Sequence, residues 1–237
     1  MDYELSSTTH VPAVRKYSQL PKLFRWFSQH CVLRSPEESD VMHIWNAVTH
    51  PHYARCWTST VPHSLDEVTQ RVHRALSDWN RGTRYALGVH RKSTQEFVGW
   101  IELTAHPTQK GAWLMQWFLH PRYALDAIAQ EAITATLDLM FSALDAQTLY
   151  ARSPAGHTVF DTMLNNVGFI EVAPAGALDA TTQRPHSHAV YEIRRNDWAA
   201  MRGMQGAATH EVAHTAGHAA VSPAWASTTP RKELALV

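Results

Sequence analysis

Apolar residues recur along this chain in two rhythms, and the switches between them lay out the elements. Leu65, Val68, Val72, Leu76 and Trp79 follow a three-to-four spacing that predicts an amphipathic helix ending at 80–82. Ser64, followed three residues later by Glu67, is a capping-box start for it. Upstream, PEESDVMHIWNAVTH (36–50) predicts another helix, capped at Ser35 or a nearby residue and acidic in its first turn. Leu20, Leu23, Phe24 and Phe27 also fall at helical spacing, with Pro21 suited to a first turn. They predict a short helix within an N-terminal extension covering 1–30.

The second rhythm is alternation. HCVLRS (30–35), RYALGVHRK (84–92) and EFVGWIELTAH (96–106) predict strands, the last two joined by a hairpin-length gap at 93–95. AWLMQWFLH (112–120) is almost wholly apolar and predicts a central strand covered on both faces. A long amphipathic helix follows over 126–144, then the strand TLYARS (148–153). HTVFDTMLNNVG (157–168) predicts a helix closed by Gly168. FIEVA (169–173) and HAVYEIRR (188–195) predict two strands joined by a polar loop, and Asn196 caps a last short helix. The order β-α-α-β-β-β-α-β-α-β-β predicts an α/β fold: a mixed central sheet of about six or seven strands with flanking helices. From Gly203 onward Ala, His, Thr and Gly dominate without a core pattern, so 31–198 is the expected domain and 199–237 a flexible tail.

In such a sheet, ligands sit at the carboxyl ends of central strands, near a change in strand order. That points to FLHPRYALDAIAQEA (118–132), a strand feeding into a helix N-terminus. Free N–H groups and the positive helix end favour an anion there.

Charge and composition narrow the class. Lys+Arg and Asp+Glu both number 21, which gives no general attraction to nucleic acid or anionic membrane. Cys31 and Cys56 make neither a disulfide framework nor a metal-type pair. The polar start MDYELSSTTH and the lack of a membrane-length apolar run predict a soluble, cytoplasmic setting. His210, His214 and His218 fall four apart in the tail, a compositional feature rather than a metal site.

The order of elements and several local words together resemble the GNAT (GCN5-related) acyltransferases, in the branch similar to the RimJ/RimL ribosomal-protein N-terminal acetyltransferases. The words are LRSPEESD (33–40), FVGWIEL (97–103), FLHPRY (118–123), AQEAI (129–133) and NNVGFIEV (165–172), spread over roughly 31–198. The resemblance implies a GNAT fold and acetyl-CoA as co-substrate. The pantetheine arm would lie along Trp117, Phe118, Leu119 and His120, where the central strand parts from its neighbour. The pyrophosphate would be held by Arg122, Tyr123, Ala124, Leu125, Asp126, Ala127, Ile128 and Ala129.

In the cofactor turn Leu125 replaces a glycine and Asp126 a residue that is often basic. His157 and Phe160 stand where the family often has Asn and Ser. Glu102, in an apolar strand beside the expected cleft, is the first choice for general base. His157, at a helix start near the thioester, is placed to attend the departing thiolate. Trp45 and Trp57 lie in the segment that lines the family's acceptor groove.

The function that follows is acetyl transfer from acetyl-CoA to a primary amine by direct attack in a ternary complex. The acceptor would be a protein N-terminus, an amino acid, a modified nucleotide or another small molecule. The altered turn keeps two alternatives open: a scaffold acting as a binding or regulatory module, or a different acyl donor. The N-terminal extension invites a homodimer.

Overall fold

The computed structural model describes residues 17–50, 62–123, 127–176 and 188–203. The chain divides into two units, Met1–Ala199 and Ala200–Val237; the sheet and the helices that flank it belong to the first. In chain order the elements are β1 (Arg25–Phe27), β2 (Cys31–Arg34), α1 (Asp40–Val48), α2 (Leu65–Trp79), β3 (Arg84–Arg91), β4 (Phe97–Ala105) and β5 (Ala112–Leu119). They continue with α3 (Ala127–Asp138), β6 (Thr148–Pro154), α4 (Thr158–Asn166), β7 (Ile170–Ala173) and β8 (His188–Arg194). A last helix, α5, covers 195–203.

The sheet has eight strands in the order β1-β2-β3-β4-β5-β6-β8-β7, more than the six or seven expected. The extra strand is β1. Leu20 to Phe27 does not form the expected helix; Arg25–Phe27 pairs antiparallel with Val32–Arg34 instead. Leu20 and Phe24 are buried, but Leu23 is 93% exposed and Phe27 60%, so the helical spacing there does not describe a single buried face. The segment is held by long-range bonds: Leu20 N–H donates to the Tyr85 hydroxyl at 3.2 Å and the Trp79 indole donates to Pro21 O at 3.0 Å. Residues 17–30 are thus fastened to the sheet through β1 and the buried Leu20 and Phe24.

The expected capping box of α2 is present: Glu67 N–H donates to Ser64 Oγ at 3.1 Å, and Glu67 Oε2 accepts from His63 N–H at 2.8 Å. α1 begins later than expected, at Asp40. Ser35, an expected cap, instead accepts Phe24 N–H on its hydroxyl oxygen at 3.2 Å. The fully buried Asp40 carboxylate takes Glu37 N–H at 2.8 Å and both guanidinium nitrogens of Arg34 at 2.8 and 3.0 Å. α3 stops at Asp138 and runs into a wider π-turn, Leu139–Ala143, where one helix to 144 was expected. Gly168 closes α4 at φ +95°, a conformation costly for any side chain.

α1 and α2 cover one face of the sheet through Ile44, Val68, Val72, Trp100 and Phe118. β5 and β6 form the one parallel pair among the described residues, with α3 as the crossover between them.

Candidate active site

β5 is the hinge of the site. On one side it pairs with β4 along almost its whole length, from Trp113 opposite Ala105 to Leu119 opposite Gly99. His120 N–H extends this ladder to Val98 O at 2.7 Å. On the other side it pairs with β6 for four rungs only, ending at Met115 opposite Ala151. β6 does not stop there. Arg152, Ser153 and Pro154 go on pairing with Val190, Ala189 and His188 of β8. Beyond Met115, then, one strand follows β4 and the other follows β8, and the sheet opens between them.

Alternation along each strand fixes what faces the opening. On the α4 side stand Trp117 and Ser153. The Trp117 ring lies 5.4 Å from Phe160 of α4, and Phe160 stacks on His157 at 4.2 Å, so these aromatics run from the opening to the first turn of α4. Ser153 is fully buried, and its Oγ has no hydrogen-bond partner among the described residues. A buried hydroxyl without a partner costs about 1–3 kcal/mol, and here it marks a place prepared for a polar group. A chain of amides lying in the opening would supply that group, so the residues present fit a pantetheine arm. Nothing in the sequence singled out Ser153; its unpartnered state is visible only once the ladder on either side is known.

The expected cofactor residues divide. Phe118 points into the α1–α2 core, and Ile128 and Ala129 are buried, so these three can serve a ligand only through the backbone. Ala127 is exposed at the first turn of α3. Arg122 is 69% exposed on its side chain, 3.4 Å from Glu96. Tyr123 is buried, with Arg91 and Arg122 over its ring at 5.4 and 5.6 Å; it positions Arg122. His120 Nδ1 accepts Arg122 N–H at 3.3 Å, and burial, His50 and Arg122 lower its pKa. Ala124, Leu125, Asp126 and Trp57 lie outside the described residues. Trp45 packs against the α1–α2 cluster, a core role where an acceptor-lining role was expected.

Glu102 needs correction. Its carboxylate is 3% exposed and bridges two arginines, Arg71 Nε at 2.8 Å and Arg84 at 2.6 Å, with the Trp100 indole donating at 3.1 Å. Burial alone would raise its pKa, but Arg71 and then Arg84 outweigh it and hold the group at about 2. A carboxylate this acidic has little affinity for a proton at neutral pH, so Glu102 is a structural bridge and not the base. Its partners lie 31 and 18 residues away, beyond the reach of any local pattern.

α3 is tied to the β1–β2 turn by one side chain. Glu131 Oε1 accepts from Ser28 Oγ, His30 N–H (2.6 Å) and Cys31 N–H (3.2 Å), and Oε2 meets His30 Nδ1 at 2.8 Å. Against a burial penalty, these bonds hold its pKa at about 2. The neighbouring Cys31 thiol is pushed up to about 11, chiefly by burial.

Residues 30–170 match the family model for the acetyltransferase (GNAT) domain. The chain belongs to the GNAT acetyltransferase family. No curated protein matches the sequence. Among solved structures, this GNAT chain is similar to the ribosomal-protein-S5-alanine acetyltransferase from Vibrio fischeri, with TM-score 0.61 and 18% identity over 74% of this chain and 98% of that one. It is also similar to a GCN5-related N-acetyltransferase from Brucella melitensis, with TM-score 0.64 and 14% identity over 81% and 88% of the two chains. A third neighbour is Mycobacterium smegmatis RimJ in complex with CoA-disulfide, with TM-score 0.58 and 15% identity over 69% and 81%. At these identities the likeness carries the fold. Among the described residues of this GNAT protein, no helix is long and apolar enough to cross a membrane.

Proposed function

We propose that this GNAT protein moves an acetyl group from acetyl-CoA to a primary amine by direct attack, without a covalent acyl-enzyme. The observation that carries the reading is the end of the β5–β6 ladder at Met115–Ala151, with the buried Ser153 hydroxyl beside it. Ser153 Oγ donates to a pantetheine carbonyl. Arg122 and the first amides of α3 hold the pyrophosphate. When bound, the thioester supplies an electrophilic carbonyl carbon. His157, joined to the opening through Phe160 and Trp117, gives a proton to the departing sulfur. The acceptor amine sheds its proton to water, so no carboxylate base is required. The M. smegmatis neighbour, solved with CoA-disulfide, is consistent with a coenzyme A ligand in this fold. A cytoplasmic site of action, where acetyl-CoA and a reduced Cys31 coexist, completes the reading.

The test is thermal unfolding and calorimetry of the full chain with acetyl-CoA and with desulfo-CoA. A ligand at 100 times its Kd adds about 2.7 kcal/mol of stability. A clear rise in unfolding temperature with both ligands is expected; no shift at millimolar concentration removes the proposal. Acetyl release in the presence of amines, lost in His157→Ala with binding retained, then supports the role of His157.

A further inference from the structure

On the face of the sheet opposite α4, a cavity of about 380 Å³ opens beside the point where β5 and β6 part. Thr104, Pro107, Leu114, Tyr150, Arg152 and Val190 line it. Arg152 is the first residue of β6 beyond the last β5–β6 rung, and alternation puts it on the face of Tyr150 and Leu114. We propose that this cavity binds the acceptor, that the acceptor is a free amino acid with an apolar side chain, and that Arg152 determines this by holding its carboxylate. The proposal rests on the acetyl-transfer reading for the direction in which the amine points, towards the opening.

Three observations carry it. First, the charge is unbalanced. Arg34, Arg84 and Arg194 on other strands each meet a carboxylate, whereas none pairs with Arg152 among the described residues. No Asp or Glu lines the cavity. The nearest carboxylate, Glu192, acts on the Tyr150 hydroxyl and is already paired with Arg194, while an anion would find in Arg152 a guanidinium that can grip it with two parallel hydrogen bonds. Burial and the charge of Arg152 together lower the pKa of nearby His188. Second, Leu114, Ala105, Pro107 and Val190 make much of the wall apolar, beside the polar groups of Thr104, His106 and Tyr150, which suits a hydrocarbon side chain. Third, the position is right for both ends of a short molecule. Arg152 leaves the sheet at the first position past the last β5–β6 rung, so a short molecule held by its carboxylate lies beside the opening.

The test needs no variant at first. N-acetyl-L-leucine and N-acetyl-L-leucinamide are titrated into the full chain by calorimetry. The acid is expected to bind at least about tenfold tighter than the amide, the effect of one charge-assisted contact. Arg152→Gln is expected to abolish that difference and Arg152→Lys to retain part of it, with far-UV circular dichroism confirming the fold of each. With acetyl-CoA, leucine should be acetylated with a lower KM than leucinamide, spermidine or a peptide beginning with Asp. Equal binding of acid and amide, or a preference for spermidine or the peptide, overturns the proposal. If the acid is preferred through Arg152 but acetyl-CoA gives no thermal shift, the cavity assignment stands and the transfer reading falls. If acetyl-CoA binds while acid and amide are indistinguishable, only the cavity assignment falls.

Discussion

Trp117 of β5 and Phe160 of α4 meet with ring centroids 5.4 Å apart, at the level where β5 has already left β6. The contact braces the departing strand against a helix, so the opening is a supported feature and not a frayed end.

Ser153→Ala removes a hydroxyl that has no partner among the described residues, so unfolding free energy should stay within about 1 kcal/mol or rise. Affinity for desulfo-CoA should fall by roughly three- to tenfold, the worth of one hydrogen bond. Denaturant titration and calorimetry on the same preparation check both; a large loss of stability with unchanged affinity would refute the assignment.

Glu102→Gln removes the carboxylate that half-buried Arg71 and Arg84 share, leaving Arg84 to Asp78 at 3.8 Å. A folded pKa of about 2 against an ordinary 4.5 corresponds to about 3 kcal/mol of stability. The folded pKa is depressed, so this contribution is fully present above pH ~4.5 and is lost as pH falls towards 2. Urea unfolding of wild type and variant should therefore differ by about 3 kcal/mol at pH 7 and converge only near pH 2. Glu131, also held at about 2, is lost over the same window and should steepen acid unfolding of both proteins.

Gly99→Ala should disturb the site from behind. A Cβ at position 99 would stand 2.3 Å from Phe118 O and 3.1 Å from Leu119 Cα, both backbone atoms, so β5 must move. A loss of about 1–3 kcal/mol is expected from overpacking, with weaker acetyl-CoA binding as β5 shifts. Denaturant midpoints and calorimetry decide; retained stability and affinity would show that the strands tolerate the extra carbon.

The Cys31 thiol should be inert in the folded protein. With a pKa of about 11 and no exposed surface, its thiolate fraction at pH 8 is about a thousandth. In a Cys56→Ser background, a disulfide reagent should release almost no chromophore until denaturant is added, and then one equivalent. Prompt reaction of the native variant would contradict the burial.

Much of this architecture was legible from residue order. Strands β3 to β6 announce themselves as short, largely buried apolar runs, and helix α2 by the spacing of its one buried face. The Leu20–Phe27 segment misled because Leu20 and Phe24 fit a helix while the backbone is drawn out to pair with β2. The site was less legible. Where the β5–β6 ladder would end could be anticipated at the strand end, but the partners of Glu102, and the lack of partners for Ser153 and Arg152 among the described residues, depend on residues tens of positions away. Local spacing carries no record of such distances.

The knot at Glu131 bears on how the protein is handled. The family match begins at residue 30, and a chain trimmed to that span would lose Ser28 and the residues before it. Tyr17 N–H, which reaches Ala143 O at 2.8 Å, would go with them. The helix assigned to the diphosphate would then sit on a severed mooring, so the shortest fragment worth expressing starts upstream of Tyr17.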